Sequence, residues 1–219
     1  MRFRVDGDTI VFDDGGMNLL SSGALVELRR LIEGRVGGGA GVPPLVFRMA
    51  RAAGADMAEM ARFSAAEAEA FARLGQETFA AIERLPCLTV AVIDGDCFGG
   101  ALDLILSFDL RFASERSRFS HPGGKIGIVT GFGGTSRWRK VIDAAAARRL
   151  FIANEILDAR AALDAGLIDG IGEPKIPDIS NATLQMVKQL TIRRDRLTQR
   201  DLAMLAERLG ALYAAALTK

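Results

Sequence analysis

The sequence predicts a layered α/β or α+β core followed by a helical C-terminal appendage. Three observations predict it. Strand-like and helix-like segments interleave through residues 1–175, as layered folds require. Leu88–Ile93 is a nearly continuous apolar run rich in valine, the composition of a strand covered on both faces. After Pro174 and Pro177 the composition changes, and residues 179–217 read as two helical segments rich in Leu, Ala, Arg and Gln, broken around Arg194–Thr198. The expected organisation is a core over residues 1–175 and a helical segment over residues 176–219.

The elements follow in order. Residues 2–6 and 9–13 alternate apolar and polar around Gly7-Asp8, a hairpin signal. Ser22 opens a helix with Leu25, Leu28, Leu31 and Ile32 on one face and Gly34 as its stop. Val36–Pro44 is a glycine-rich loop, and Leu45–Met49 reads as a buried strand. Ser64 and Glu67 form a capping box, in which each side chain bonds the other's backbone N–H. The helix they start runs to about Arg84, and Pro86 ends it. Gly99–Ser107 is short, apolar and helical, and Leu110–Ala113 returns as a strand. Ser117–Gly134 is dominated by Gly and Pro and reads as irregular backbone; Asp143–Asn154 is alanine-rich and helical. Asp158 caps a further helix that Gly166 ends, and Leu167–Ile171 is a last strand.

Composition narrows the function. At 219 residues, 49% hydrophobic, 25% charged and net charge +1, the chain is long enough for a sizeable core. No basic run with interleaved aromatics supports nucleic-acid binding, and no apolar run reaches a membrane-spanning length. The N-terminal stretch alternates like a strand and lacks the apolar region of a signal peptide. Cys87 and Cys97 stand in no metal-ligand or redox pattern, and the sequence holds one His, so no metal site is expected. Two buried thiols in a reducing compartment, and hence a cytoplasmic location, are the default reading.

The chemistry concentrates between Leu85 and Arg137. Gly99-Gly100 opens an apolar helix. A helix N-terminus presents free N–H groups, and glycine lets a ligand approach the backbone closely. The alternative is a tight strand-to-helix turn with no ligand. Asp103 lies one helical turn later among apolar neighbours. It is either a desolvated acid/base group or a carboxylate used for capping or pairing. Asp109 reads as structural, with a local pairing to Arg111. Arg137 suits a pairing with an acid in the core. His121 is the residue whose ordinary pKa is nearest neutrality; it is a proton carrier or a hydrogen-bonded structural side chain. The basic cluster Lys188–Arg200 reads as a solvated helix face or a phosphate contact.

Four segments then carry a resemblance. They are Ala53-Gly54-Ala55-Asp56-Met57; Leu85-Pro86 through Asp94-Gly95-Asp96-Cys97-Phe98-Gly99-Gly100-Ala101; Phe119-Ser120-His121-Pro122 through Gly127 to Gly131-Phe132-Gly133-Gly134-Thr135; and Asp158-Ala159-Arg160-Ala161 through Ala165-Gly166-Leu167-Ile168-Asp169. In order and spacing they are similar to the crotonase superfamily, also called the enoyl-CoA hydratase/isomerase family, over residues 3–173. The resemblance implies a spiral of repeated ββα units, with residues 176–219 as a helical segment for trimerisation or pocket closure. It implies a homotrimer or a dimer of trimers. It implies an acyl-CoA thioester substrate, no cofactor beyond the coenzyme A of that substrate, and an enolate intermediate of fatty-acid-type chemistry. By motif position the N–H groups of Ala55 and Gly100 form an oxyanion hole, a device in which losing one donor costs about 2.7–4 kcal/mol. Asp103 and His121 are the catalytic candidates. Ala53, Asp56, Gly99 and Gly123 are the substrate-binding candidates.

One position departs from the family pattern. Where the hydratases and isomerases carry a second glutamate, this chain has Gly123, and Gly131 supplies no replacement. Three accounts follow. Asp103 does the proton work with water or His121; a bound anion such as bicarbonate fills the gap, in a decarboxylase or a C–C bond-forming or bond-cleaving enzyme; or the protein binds acyl-CoA without turning it over.

Overall fold

The computed structural model describes residues 2–35 and 42–188. The chain divides after Asp178 into two units, Met1–Asp178 and Ile179–Lys219.

The first unit begins with a hairpin. Strands β1 (Phe3–Asp6) and β2 (Thr9–Phe12) pair antiparallel across Gly7, whose φ of 56° suits the tight turn. Phe3 and Phe12 stack at 4.5 Å and are buried with Phe47. The short strand β3 (Leu19–Leu20) leads to α1 (Ser22–Glu33), which Ser21 caps by accepting from the Ala24 N–H. Then come β4 (Leu45–Met49), the two-residue β5 (Gly54–Ala55), α2 (Met57–Met60) and α3 (Ala65–Glu83). The capping box at Ser64 and Glu67 forms as the sequence implies.

Next are β6 (Thr89–Ile93), β7 (Asp96–Phe98), α4 (Gly100–Ile105), β8 (Leu110–Ala113) and β9 (Arg118–Ser120). A 3₁₀ turn (Pro122–Ile126), α5 (Gly134–Arg137), a second 3₁₀ turn (Trp138–Lys140) and α6 (Ala144–Phe151) follow. The unit closes with β10 (Leu157–Asp158), α7 (Ala159–Asp164) and β11 (Gly170–Ile171). In the second unit, α8 (Asn181–Val187) is capped by Ser180.

The large sheet has the order β1-β2-β4-β6-β8-β11, parallel apart from the hairpin. Two smaller sheets, β10-β9-β7 and β3-β5, take the alternate strands. From β2 to β9 each circuit of the chain lays one strand in the large sheet, one in a small sheet, and then a helix or turn. This is the spiral of ββα units that the resemblance implies. All of Thr89–Ile93 is buried, which explains why that strand lacks apolar/polar alternation.

Several local readings change. Ser117–Gly134 is not wholly irregular: Arg118–Ser120 pairs parallel with β7. Of Leu167–Ile171 only the last two residues form a strand. Arg111 has partners beyond its neighbour Asp109. Its buried guanidinium hydrogen-bonds Asp169 at 3.1 Å and the carbonyls of Leu167 and Phe108 at 2.8 Å, while the charge of Asp109 adds attraction. The parallel pairing of β11 on β8 brings Asp169 there, a non-local contact that sequence spacing does not display. The Asp109 carboxylate accepts from the N–H and hydroxyl of Thr89, each at 2.8 Å, and so ties β6 to the start of β8.

Candidate active site

Two glycines let β5 and the start of α4 meet. Gly54 has φ 95° and Gly99 has φ 53°, both in the left-handed half of backbone space. A Cβ on Gly54 would stand 2.7 Å from the Gly100 nitrogen and from the Phe98 oxygen. A Cβ on Gly100 would stand 3.3 Å from the Ala55 nitrogen. The β3–β5 ladder uses the Asp56 N–H, which donates to the Leu20 carbonyl at 3.2 Å. Strand alternation therefore turns the Ala55 N–H to the opposite edge, toward α4. Gly100 is the first residue of α4, so its N–H has no acceptor within the helix. Two backbone donors from different elements thus lie side by side.

Both residues border a cavity of about 290 Å³. Its walls are mostly apolar, with Met60, Phe63 and Phe71 from the α2–α3 side and Ile128, Val129 and Phe132 from the segment after β9. The Phe132 ring is seated between glycines: a Cβ on Gly75 of α3 would lie 2.2 Å from it, and one on Gly100 would lie 2.8 Å from it. Phe71 and Phe79 meet the same ring edge-on. Gly75 costs helix stability on propensity alone; contact with this ring accounts for it.

The polar groups in the cavity wall are few. Asp103, in the first turn of α4, is fully buried. Its Oδ2 accepts a hydrogen bond from the Thr130 hydroxyl. Its Oδ1 lies 3.7 Å from His121 Nε2, and neither of these two buried atoms has a hydrogen-bond partner among the described residues. Gly134 makes room for the carboxylate, because a Cβ there would fall 1.8 Å from Oδ1. His121 lies between β9 and the first 3₁₀ turn, with its ring against Phe151 at 4.8 Å. Beneath the site, burial pushes the Cys97 thiol well up, and the charges of Asp103 and Asp96 push it the same way.

Gly123 also borders the cavity, and its own backbone explains the missing side chain. The Ile128 N–H closes a turn onto the Gly123 carbonyl at 2.9 Å, and a Cβ on Gly123 would lie 2.5 Å from the Ile128 oxygen.

Of the positions singled out in the sequence, Ala53, Ala55, Gly99, Gly100, Asp103, His121 and Gly123 border the one cavity. Asp56 does not. Its carboxylate caps α2, accepting from the N–H groups of Ala58 and Glu59 at 3.0 Å. Arg137 finds its acid in Glu83, at 3.0 and 3.1 Å, and also donates to the Phe132 carbonyl at 2.8 Å. The part of the Lys188–Arg200 cluster after Lys188 lies outside the described residues. Sequence reasoning missed Thr130; the signal was a hydroxyl beside glycine in a segment that spacing rules treat as loop. Among the described residues no cluster of three or more His, Cys, Asp or Glu side chains could hold a metal. No helix among them is long and apolar enough to cross a membrane.

Fold and cavity together define a class: a ββα-spiral protein whose apolar pocket is bordered by paired backbone donors and a buried acid. The chain belongs to the enoyl-CoA hydratase/isomerase family, whose model matches residues 47–209. It is similar to the crotonyl-CoA hydratase of Syntrophomonas wolfei, 32% identical over 145 residues, which cover 64% of this chain and 56% of that protein. It is also similar to the short-chain-enoyl-CoA hydratase of Clostridium acetobutylicum, 34% identical over 122 residues, covering 56% of this chain and 47% of that protein. The chain spans about half the length of the curated relatives it matches. Among solved structures, DspI of Pseudomonas aeruginosa superposes with a TM-score of 0.85 at 26% identity, covering 96% of this chain and 87% of that one. An enoyl-CoA hydratase from Thermoplasma volcanium superposes with a TM-score of 0.83 at 23% identity, over 97% of this chain and 91% of that one.

Proposed function

We propose that this protein binds an acyl-CoA thioester and catalyses hydration, or the related double-bond shift, of an enoyl-CoA. The observation that carries this reading is the pairing of the Ala55 and Gly100 N–H groups across Gly54, at the edge of an apolar pocket that holds Asp103. The thioester oxygen sits on those two donors. The acyl chain runs between Met60, Phe63 and Phe71 on one side and Val129 and Phe132 on the other. Gly99 and Ala53 let the thioester come close to the backbone.

The hydration is written with Asp103 and His121 as the proton-handling pair. A water held between Asp103 Oδ1 and His121 Nε2 adds its oxygen to the β-carbon. Its proton passes to Oδ1, and the π electrons move onto the thioester oxygen, where two N–H donors stabilise the enolate. The α-carbon then takes a proton back from the pair, the carbonyl reforms, and the enzyme is restored. His121 in this scheme does the positioning that a second carboxylate at 123 performs in the two-glutamate hydratases. No cofactor beyond the coenzyme A of the substrate is required. We further propose a homotrimer or dimer of trimers working in the cytoplasm.

The test is loss of the enoyl absorbance on incubation with crotonyl-CoA and longer enoyl-CoA thioesters. Turnover that Asp103→Asn abolishes supports the reading. Tight acyl-CoA binding by calorimetry without any turnover replaces it with a silent binding protein, and stimulation by bicarbonate would move it toward anion-assisted carbon–carbon chemistry. Light scattering reads the assembly.

A further inference from the structure

The two oxygens of Asp103 are in different situations. Oδ2 faces the Thr130 hydroxyl, while Oδ1 is a buried atom with no partner, directed at His121 Nε2. A carboxylate oxygen only accepts, so the Thr130 hydroxyl donates its hydrogen to Asp103 Oδ2. Thr130 Oγ1 in turn accepts from the Phe132 N–H at 3.3 Å, which holds the hydroxyl in place. Among its other described neighbours, Gly134 of α5 has no side chain to offer, and His121 Nε2, just past β9, stands 3.7 Å from Oδ1 without bonding it.

We propose that Thr130 is a positioning residue that divides the labour of Asp103: it anchors Oδ2 and leaves Oδ1 as the oxygen that receives and returns the substrate proton. An oxygen already accepting a hydrogen in a dry site is a poor place for a second one, so a proton taken up by this carboxyl lands on Oδ1. That is the oxygen that faces the histidine. The anchor also blocks rotation of the carboxyl, which holds the proton on the substrate's side throughout the reaction. This inference rests on the reading of Asp103 as the proton-transfer group.

The test compares Thr130→Val, which keeps the shape and removes the donor, with Thr130→Ser, which keeps the donor. On an enoyl-CoA substrate the valine variant loses about 10- to 100-fold in kcat, the range expected for a hydrogen bond to a charged group, with KM nearly unchanged; the serine variant recovers most of the rate. Should the valine variant fail to fold, Thr130→Ala against Thr130→Ser reads the same contrast. A second readout needs no turnover: the Asp103 carboxylate infrared stretch, isolated by difference against Asp103→Asn, moves in the valine and alanine variants but not in the serine variant. Equal kcat in the variants with and without the hydroxyl, or an unmoved stretch, overturns the assignment of Thr130 while Asp103→Asn still abolishes turnover. Full activity in Asp103→Asn overturns the underlying reading instead.

Discussion

Asp103 Oδ1 and His121 Nε2 face each other across 3.7 Å, with no hydrogen bond between them or to any other described residue. The gap is too long for a good direct bond, yet one oxygen atom set beside it can bond to both. Removing the histidine takes away half of that seat. His121→Ala is expected to lower kcat for hydration by about 10²-fold, the lower end for a group that handles a proton, while acyl-CoA affinity measured by calorimetry changes little. His121→Gln, which retains a donor, should recover part of the rate. Equal kcat in wild type and His121→Ala would remove the histidine from the mechanism.

Gly54 tests the backbone half of the site. An added methyl group meets the Gly100 nitrogen and the Phe98 oxygen at 2.7 Å, and the φ of 95° adds strain. Gly54→Ala should destabilise the fold by about 1–3 kcal/mol, as strain and overpacking do, read as a lower urea midpoint. Turnover of the folded fraction should fall by more than 10²-fold, the loss typical of a displaced oxyanion donor. A variant with wild-type turnover would show that this juxtaposition has no part in the chemistry.

A glutamate at position 123 is not expected to raise the proposed hydration activity. A Cβ at position 123 collides with the Ile128 carbonyl at 2.5 Å, inside a turn closed by that residue's own N–H. Gly123→Glu should lower stability by about 1–3 kcal/mol, measured by thermal melting, and should not raise the hydration rate. A faster and equally stable variant would mean that the turn adapts freely.

Cys97 predicts a pH dependence of stability. Burial, with the charges of Asp103 and Asp96 behind it, holds the folded thiol well above its ordinary value. The unfolded thiol ionises near pH ~8.5. Below that value the folded state's advantage is complete; above it the unfolded chain alone loses the proton, so stability falls as pH rises toward the folded value. Urea midpoints measured from pH 7 to 10 should decline more steeply in the wild type than in Cys97→Ala, by up to ~1.4 kcal/mol per pH unit. Parallel curves would mean that the thiol ionises alike in both states.

Much of the fold was legible in the sequence because its signals are local. The Ser64–Glu67 box, the Gly7 turn, the uninterrupted run at Thr89–Ile93 and the glycine pairs each state a backbone preference within a few residues. The two-residue strands β3 and β5 were not legible, since two residues carry no periodicity; only pairing defines them. The cap that Asp56 forms was not legible either, since its use as a helix cap depends on where α2 begins.

The sequence by itself determined the family, the ββα spiral and the absence of a carboxylate at position 123, because each is written in residue identity and spacing. The tertiary structure decided what surrounds Asp103. Thr130, His121 and Gly134 lie 27, 18 and 31 residues downstream, as their numbering in the chain shows. They reach the carboxyl only because β7 and β9 pair in parallel and the glycine segment folds back over α4. Hydrogen bonds and steric limits act over a few ångströms, and no one-dimensional pattern records which distant residues will come within that range.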